Sequence, residues 1–200
     1  MSDEERQRWD HRYREKGVWL RQPSALLSSI EGFLPSAGRA LDLGGGTGRH
    51  ALWLARRGFE VTLADISEVA LALATEEAAR AGVPIGTVCV DLDREPIPGG
   101  PWDVILCFHY LNRGLFSAFP GGLSPGGVLL FFHPTLRNLE RHERPPRRHL
   151  LEEGEILGLV TGLEILLSDE GWLEEGRHET RLVARRPRGA GDARQPPRLP

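Results

Sequence analysis

Ten residues near the N-terminal third, Arg39-Ala40-Leu41-Asp42-Leu43-Gly44-Gly45-Gly46-Thr47-Gly48, most constrain what this chain can fold into. The first half is a short apolar strand. The second half is a turn with four glycines in five positions, and a helical pattern (Ala51, Leu52, Leu54, Ala55) follows at once. A strand that runs through a glycine-rich turn into a helix N-terminus is the α/β device for cradling a nucleotide-like ligand. Glycine lets the backbone approach without a Cβ, and the first helical N–H groups face the ligand.

The turn does not follow the dinucleotide fingerprint G-x-G-x-x-G, whose third glycine lets helix pack closely on strand. Counted from Gly44, that position is Arg49. The pattern is D-x-G-x-G-x-G instead, with Asp42 two residues before the first glycine. A carboxylate at the strand end suits a ligand with an amino group or positive charge better than a pyrophosphate. S-adenosylmethionine carries an α-amino group, a sulfonium and no phosphate.

The next two strand ends carry carboxylates as well. Residues 60–64 read as a second strand ending at Asp65, placed about 20 residues beyond the glycines to accept both hydroxyls of a ribose. NAD folds share this feature, so it supports an adenosine without choosing the cofactor. Ser67 reads as the N-cap and Gly82 as the C-cap of a helix over 68–81. A third strand, 85–90, runs into Asp91-Leu92-Asp93, where a carboxylate can take the adenine amine and a following N–H the ring nitrogen.

Residues 102–108 form a near-continuous apolar run, as in the buried centre of a parallel sheet. They exit into His109-Tyr110-Leu111-Asn112-Arg113. A short helix over 114–119, a Pro/Gly turn (Leu123-Ser124-Pro125-Gly126-Gly127) and a fifth strand over 128–132 follow. Residues 133–149 read as an Arg- and His-rich loop, open to three readings: a solvated connector, a flap over the site, or a nucleic-acid patch. A helix over 151–160 and strands over 163–168 and 180–185 complete the pattern. Residues 3–16 read as a charged amphipathic helix with Trp9 and Tyr13 one turn apart, a packing element or a lid. A second helix opens at Gln22-Pro23-Ser24.

The bulk composition excludes several classes. With a net charge of −3, nothing electrostatic favours nucleic acid or anionic membrane as the main partner. No apolar run approaches the roughly 20 residues of a membrane helix. The acidic, polar start Met1-Ser2-Asp3-Glu4-Glu5 is unlike a secretory signal. Cys89 and Cys107 lack metal-ligand spacing and read as buried reduced thiols, so a cytoplasmic location is expected.

Taken together, the chain resembles the class I S-adenosylmethionine-dependent methyltransferases over residues 9–186. Within them it is most similar to the small bacterial tellurite-resistance-type and related small-molecule methyltransferases. The narrower likeness rests on Trp9-Asp10-x-Arg12-Tyr13, on the run from Gly46 to Ser67, on Tyr110–Arg113, and on His149–Leu166. Many relatives carry Glu-Thr where this chain has His133-Pro134-Thr135.

The resemblance implies a three-layer Rossmann-like α/β fold. Its seven-stranded sheet has order 3-2-1-4-5-7-6, with the last strand antiparallel and helices on both faces. One domain is expected over 1–186, its first 34 residues forming helices and a lid, with a disordered tail at 187–200. S-adenosylmethionine is the implied cofactor, held by Asp42, Gly44, Gly45, Gly46 and Gly48 at the methionine end. Asp65 and Ile66 would meet the ribose, Asp91 and Leu92 the adenine, and Cys107 and Phe108 the region of the sulfonium. The activity implied is in-line methyl transfer to a small molecule, with no metal. His109 and His133 are candidate bases, and Tyr110, Arg113 and Arg148 candidate substrate contacts. Two rival readings remain, a non-catalytic S-adenosylmethionine sensor and an NAD-dependent oxidoreductase.

Overall fold

Alternation of apolar side chains along strands buried on both faces builds this molecule. In a computed structural model, which describes residues 3–18 and 22–189, parallel strands β1 (Gly38–Leu43), β2 (Phe59–Asp65), β3 (Gly86–Cys89), β4 (Trp102–Phe108) and β5 (Leu123–Pro134) are followed by a hairpin of β6 (Glu164–Trp172) and β7 (His178–Arg185). The sheet has seven strands in the order β3-β2-β1-β4-β5-β7-β6, as expected. Strand β7 runs antiparallel to both β5 and β6.

Successive residues of β4 divide between two cores. Val104, Leu106 and Phe108 face Leu27, Leu54 and Leu71, whereas Ile105 and Cys107 face Phe116, Phe119, Leu151 and Ile156. This period of two puts helices α2 (Leu26–Ile30), α3 (Arg49–Ala55) and α4 (Glu68–Ala81) on one side of the sheet. The other side is covered by shorter pieces: a 3₁₀ turn at Arg113–Ser117, α5 (Phe119–Gly122) and α6 (Glu155–Leu159). Helix α1 (Asp3–Lys16) packs against α4.

Helix α4 has the predicted ends. The Ser67 side chain accepts from the Ala70 N–H, and Gly82 closes the helix with φ +67°. Elsewhere the boundaries move. The 114–119 segment forms a 3₁₀ turn, because the Asn112 side chain accepts from the Gly114 N–H and tightens the first turn. The Pro125-Gly126-Gly127 turn lies inside β5, since Trp102 still pairs with Leu123 across an irregularity before Val104 resumes with Val128. The 133–149 loop is ordered by 3₁₀ turns at Leu136–Glu140 and Arg147–His149 and by a bridge from Thr135 to Leu151. Cys107 is buried as expected, but Cys89 is exposed, because β3 is the edge strand and this end of it is left open. Most of the 187–200 tail, from residue 190 on, lies outside the described residues, as do residues 1 and 2.

The register brings Leu43, Asp65, Phe108 and Pro134 to one edge of the sheet, with Glu179 of β7 opposite Pro134. Ligands of such sheets bind outside this carboxyl edge where the strand order reverses, here between β1 and β4.

Candidate active site

The turn after β1 is bare because its neighbours leave no room. Gly44 has φ +64°, and a Cβ there would lie 2.7 Å from the Cβ of Tyr110. Gly46 has φ +57°, and a Cβ there would lie 2.5 Å from the Tyr13 hydroxyl. Both need the left-handed conformation that side chains disfavour, and both face groups from other elements. Tyr110 therefore walls the turn from the β4 side and Tyr13 from α1.

Two of the three strand-end carboxylates hold this turn from behind. Asp42 is fully buried beneath Gly45, and its Oδ2 accepts from the Ala51 N–H at 3.1 Å. Gly48, at the formal N-cap of α3, has no side chain to offer, so Asp42 does the capping from β1. Its Oδ1 has no hydrogen-bond partner among the described residues. Burial pushes its pKa up to about 7, against the Ala51 hydrogen bond and the Arg49 charge that pull it down. Asp65, nearly buried, accepts from the Gly46 N–H at 2.8 Å and from the Ser67 N–H at 2.9 Å. Its pKa is raised by burial despite these bonds. Asp91 is also buried and accepts from the Asp93 N–H at 3.1 Å, with Leu92 and Ile66 buried beside these strand ends.

Helix α1 closes over the turn. Asp10 Oδ1 accepts from the Ser67 hydroxyl at 2.6 Å, tying α1 to the start of α4. One turn on, Tyr13 is buried with its hydroxyl at Gly46, stacked on Trp9 at 5.9 Å. Burial first, and the Asp65 charge second, raise the Tyr13 hydroxyl pKa.

The exit of β4 forms the opposite wall. Phe108 stacks on Phe132 at 4.2 Å and meets the edge of His50. Cys107 is buried, and its thiol reaches the Tyr110 carbonyl at 3.4 Å. Tyr110 donates its hydroxyl to Asp93 at 2.8 Å, and Asn112 donates to the Leu92 carbonyl at 2.9 Å. These bonds clamp the 91–93 loop to the chain after β4. His109 between them has φ +61°, the one positive φ among the described non-glycine residues. Such a backbone costs about 1–3 kcal/mol unless its surroundings hold it. Here the His109 N–H donates to the Phe132 carbonyl at 2.9 Å, and the ring Nε2–H to Glu179 Oε1 at 2.9 Å. Burial would raise the Glu179 pKa, but the hydrogen bond and charge of His109, with Arg177 and His133, hold it below the usual range.

Residues 40–127 match the family model described as a methyltransferase domain. This central segment carries a methyltransferase domain, and the fold around it is like that of solved S-adenosylmethionine-dependent methyltransferases. It is similar to the ribosomal RNA small subunit methyltransferase C of Alcanivorax borkumensis, 36% identical over 115 residues, 52% of this chain and 35% of that protein. It is also similar to the glycine/sarcosine N-methyltransferase of Halorhodospira halochloris, 34% identical over 134 residues, 61% of this chain and 46% of that protein. The chain thus spans about half the length or less of these curated relatives. Its fold matches the crystal structure of TehB from Haemophilus influenzae with a TM-score of 0.69 at 20% identity, covering 89% of this chain and 67% of that one.

The residues present suit the cofactor that such a domain implies, S-adenosylmethionine. The glycine turn is a cradle that a Cβ would fill, and the buried Asp42 Oδ1 is an acceptor still without a donor. The other predicted residues divide. Tyr110 and His109 lie at the carboxyl edge beside the turn. Arg113 is committed elsewhere, to the Glu155 carboxylate and to the Leu150 carbonyl at 3.1 Å, where it straps the chain after β4 to α6. Arg148 is exposed on the 147–149 turn, with its Nε beside the His149 ring. His133 is buried, its Nε2–H donating to the His149 carbonyl at 2.9 Å, and burial lowers its pKa to about 4. It is a neutral core histidine, closed to a substrate in this arrangement.

Glu179, Asn112 and Asp10 belong to the site's framework and were not among the predicted site residues. Asp10 had a signal, since it lies in the Trp9–Tyr13 run. Glu179 had none, because its partner His109 is 70 residues away.

Proposed function

We propose that this chain transfers a methyl group from S-adenosylmethionine to a small-molecule acceptor, with residues 1–186 acting as one domain and α1 as its lid. The observation that carries the reading is the Asp65–Gly46 hydrogen bond at 2.8 Å, which fixes the bare turn against the end of β2 at the switch point of the sheet. Bound S-adenosylmethionine supplies a methyl group already activated by its sulfonium, so no protein nucleophile is required. What the chain supplies is alignment and exclusion of water, and such positioning is worth roughly 7–11 kcal/mol.

The methionine end would rest on Gly44, Gly45, Gly46 and Gly48, with Asp42 acting through the turn it anchors. Asp65 and Ile66 would hold the ribose and Asp91 and Leu92 the adenine, while Cys107 and Phe108 would line the methyl-bearing end. Tyr110 would separate that end from the acceptor. Two features support a small acceptor over a nucleic acid. Helix α1 covers the turn through Asp10 and Tyr13, and the net charge is −3. A cytoplasmic setting is supported by two free thiols, Cys89 and Cys107. No helix among the described residues is long and apolar enough to cross a membrane.

Isothermal titration with S-adenosylmethionine, S-adenosylhomocysteine and NAD tests the cofactor. Micromolar binding of the first two with no NAD binding is expected, and preference for NAD would overturn the reading. Formation of S-adenosylhomocysteine in the presence of acceptors then distinguishes an enzyme from a silent sensor.

A further inference from the structure

His109 and Glu179 are the pair at this edge whose geometry asks for a purpose. His109 holds a left-handed backbone at the end of β4, while its Nε2 meets Glu179 Oε1 at 2.9 Å. The Glu179 side chain is 2% exposed and that of His109 29%. The ring's Nε2 is thus committed to a buried partner, which leaves Nδ1 as the nitrogen a substrate could meet on a side chain that keeps some exposure. An imidazole pinned at one nitrogen by a buried carboxylate has its tautomer set and its other nitrogen unprotonated, which is the state of a proton acceptor.

The surroundings keep that carboxylate charged. Arg177, at the start of the β7 limb, lies 3.2 Å from Glu179 Oε1, and Arg49 of α3 is close enough to feel both Glu179 and Arg177. Among the described residues His50 of α3 and His133 of β5 also interact with His109, and burial depresses both, so they stay neutral. The ring is thus paired with one buried anion, Glu179, which Arg177 and Arg49 in turn hold ionised. Charging the imidazole would be compensated by Glu179.

We infer that His109 is the general base of this enzyme and Glu179 its positioning residue, so the acceptor is an alcohol, phenol or amine that must lose a proton. This rests on the methyl-transfer reading above. In the step, the acceptor's O–H or N–H bond breaks and its proton passes to His109 Nδ1. The acceptor's electron pair forms the new bond to the methyl carbon, and the pair of the breaking carbon–sulfur bond departs on sulfur, leaving a neutral thioether. A thiolate or a selenium or tellurium oxyanion needs no base and would leave the His109–Glu179 pair without a task.

Two measurements test this. The first is independent of turnover: NMR titration of the His109 ring in the wild type, Glu179→Gln and Glu179→Asp. The midpoint should move to lower pH by about one unit in Glu179→Gln, a tenfold change in proton affinity, and return most of the way in Glu179→Asp. The second follows S-adenosylhomocysteine formation with catechol, glycine, 2-mercaptoethanol and selenite. Transfer to catechol or glycine is expected, with kcat/KM rising along the His109 titration curve. His109→Asn, which tolerates the left-handed backbone, should lose at least 100-fold. Glu179→Gln should lose about tenfold and shift the limb with the ring. Transfer confined to 2-mercaptoethanol or selenite overturns the inference. So does an unmoved ring titration, wild-type turnover in His109→Asn, or cofactor binding without transfer to catechol or glycine. Failure of the wild type to bind S-adenosylmethionine would instead defeat the proposed function itself.

Discussion

Asp42 of β1 accepts a hydrogen bond from the N–H of Ala51 in the first turn of α3, across the glycine turn that both flank. The contact makes strand, turn and helix one unit, and it does so with a carboxylate that has no exposure to water. Replacing its charge while keeping its shape separates two roles, anchoring the turn and serving the ligand.

Asp42→Asn should be more stable than the wild type in alkaline buffer. In the folded protein this carboxyl has a pKa of about 7, above the value of 3.8 it has unfolded, so the folded state binds the proton more tightly. Stability is then highest at low pH and falls as pH rises from 3.8 through 7. The amide can still accept from Ala51, so at pH 8 a gain of about 1–2 kcal/mol, or a few degrees in Tm, is expected. At pH 5 the gain should vanish. Calorimetric scans at the two pH values check this, and S-adenosylmethionine affinity should fall in parallel if the carboxylate also serves the ligand.

Acid should destabilise the fold through two buried histidines. His133 is buried with a folded pKa of about 4, and His50 is depressed well below its ordinary value of 6.5. The unfolded chain takes up these protons first, so stability is present above pH 6.5 and is lost as pH falls toward 4. His133→Gln keeps a donor for the His149 carbonyl without the charge. Urea unfolding at pH 7 and pH 4.5 should show the variant losing on the order of 2 kcal/mol less than the wild type.

The lid contacts should govern cofactor exchange more than folding. Asp10→Ala removes the bond to the Ser67 hydroxyl, and Ser67 still caps α4. A single bond of this kind to a charged group is worth about 1.5–3 kcal/mol, shared here between lid closure and whole-chain stability. Stopped-flow fluorescence of Trp9 should show S-adenosylmethionine dissociating about 5- to 30-fold faster, with a Tm within 3 °C of the wild type. Unchanged dissociation would mean that α1 merely packs on the domain.

These relationships mark what could be read along the chain and what needed the fold. Helix α4 was legible to the residue because both its ends are chemical events, the Ser67 cap and the Gly82 left-handed turn. Strand β4 was legible because residues buried on two faces form an unbroken apolar run. Strand β5 was read too short, since Pro125-Gly126-Gly127 looks like a turn in isolation and is tolerated inside a strand by the irregular pairing with β4. Asp42, Asp65 and Asp91 were found by position at three strand ends. That Asp42 bonds to the Ala51 N–H of α3 and Asp65 to the Gly46 N–H of the turn was not legible, because a carboxylate's direction depends on which donors the tertiary fold presents. The pairing of Arg113 was hidden for the same reason: Glu155, its partner, lies 42 residues on.

Tyr110 should couple the two halves of the site. Its Cβ sits where a side chain on Gly44 would be, and its hydroxyl donates to Asp93 at 2.8 Å. Tyr110→Phe keeps the wall and removes the bond, loosening the 91–93 loop that Asn112 also holds. Partial burial raises the Asp93 pKa, yet hydrogen bonds, that of Tyr110 among them, hold it below its usual range, and the variant removes one of them. The loss of about 1 kcal/mol predicts a roughly fivefold higher KM for S-adenosylmethionine with kcat within twofold. Tyr110→Ala removes the wall as well and should lower kcat, since nothing then separates the turn from the chain after β4. A KM effect without a kcat effect in the phenylalanine variant, and both in the alanine variant, would show that hydroxyl and ring serve different ends of the cofactor.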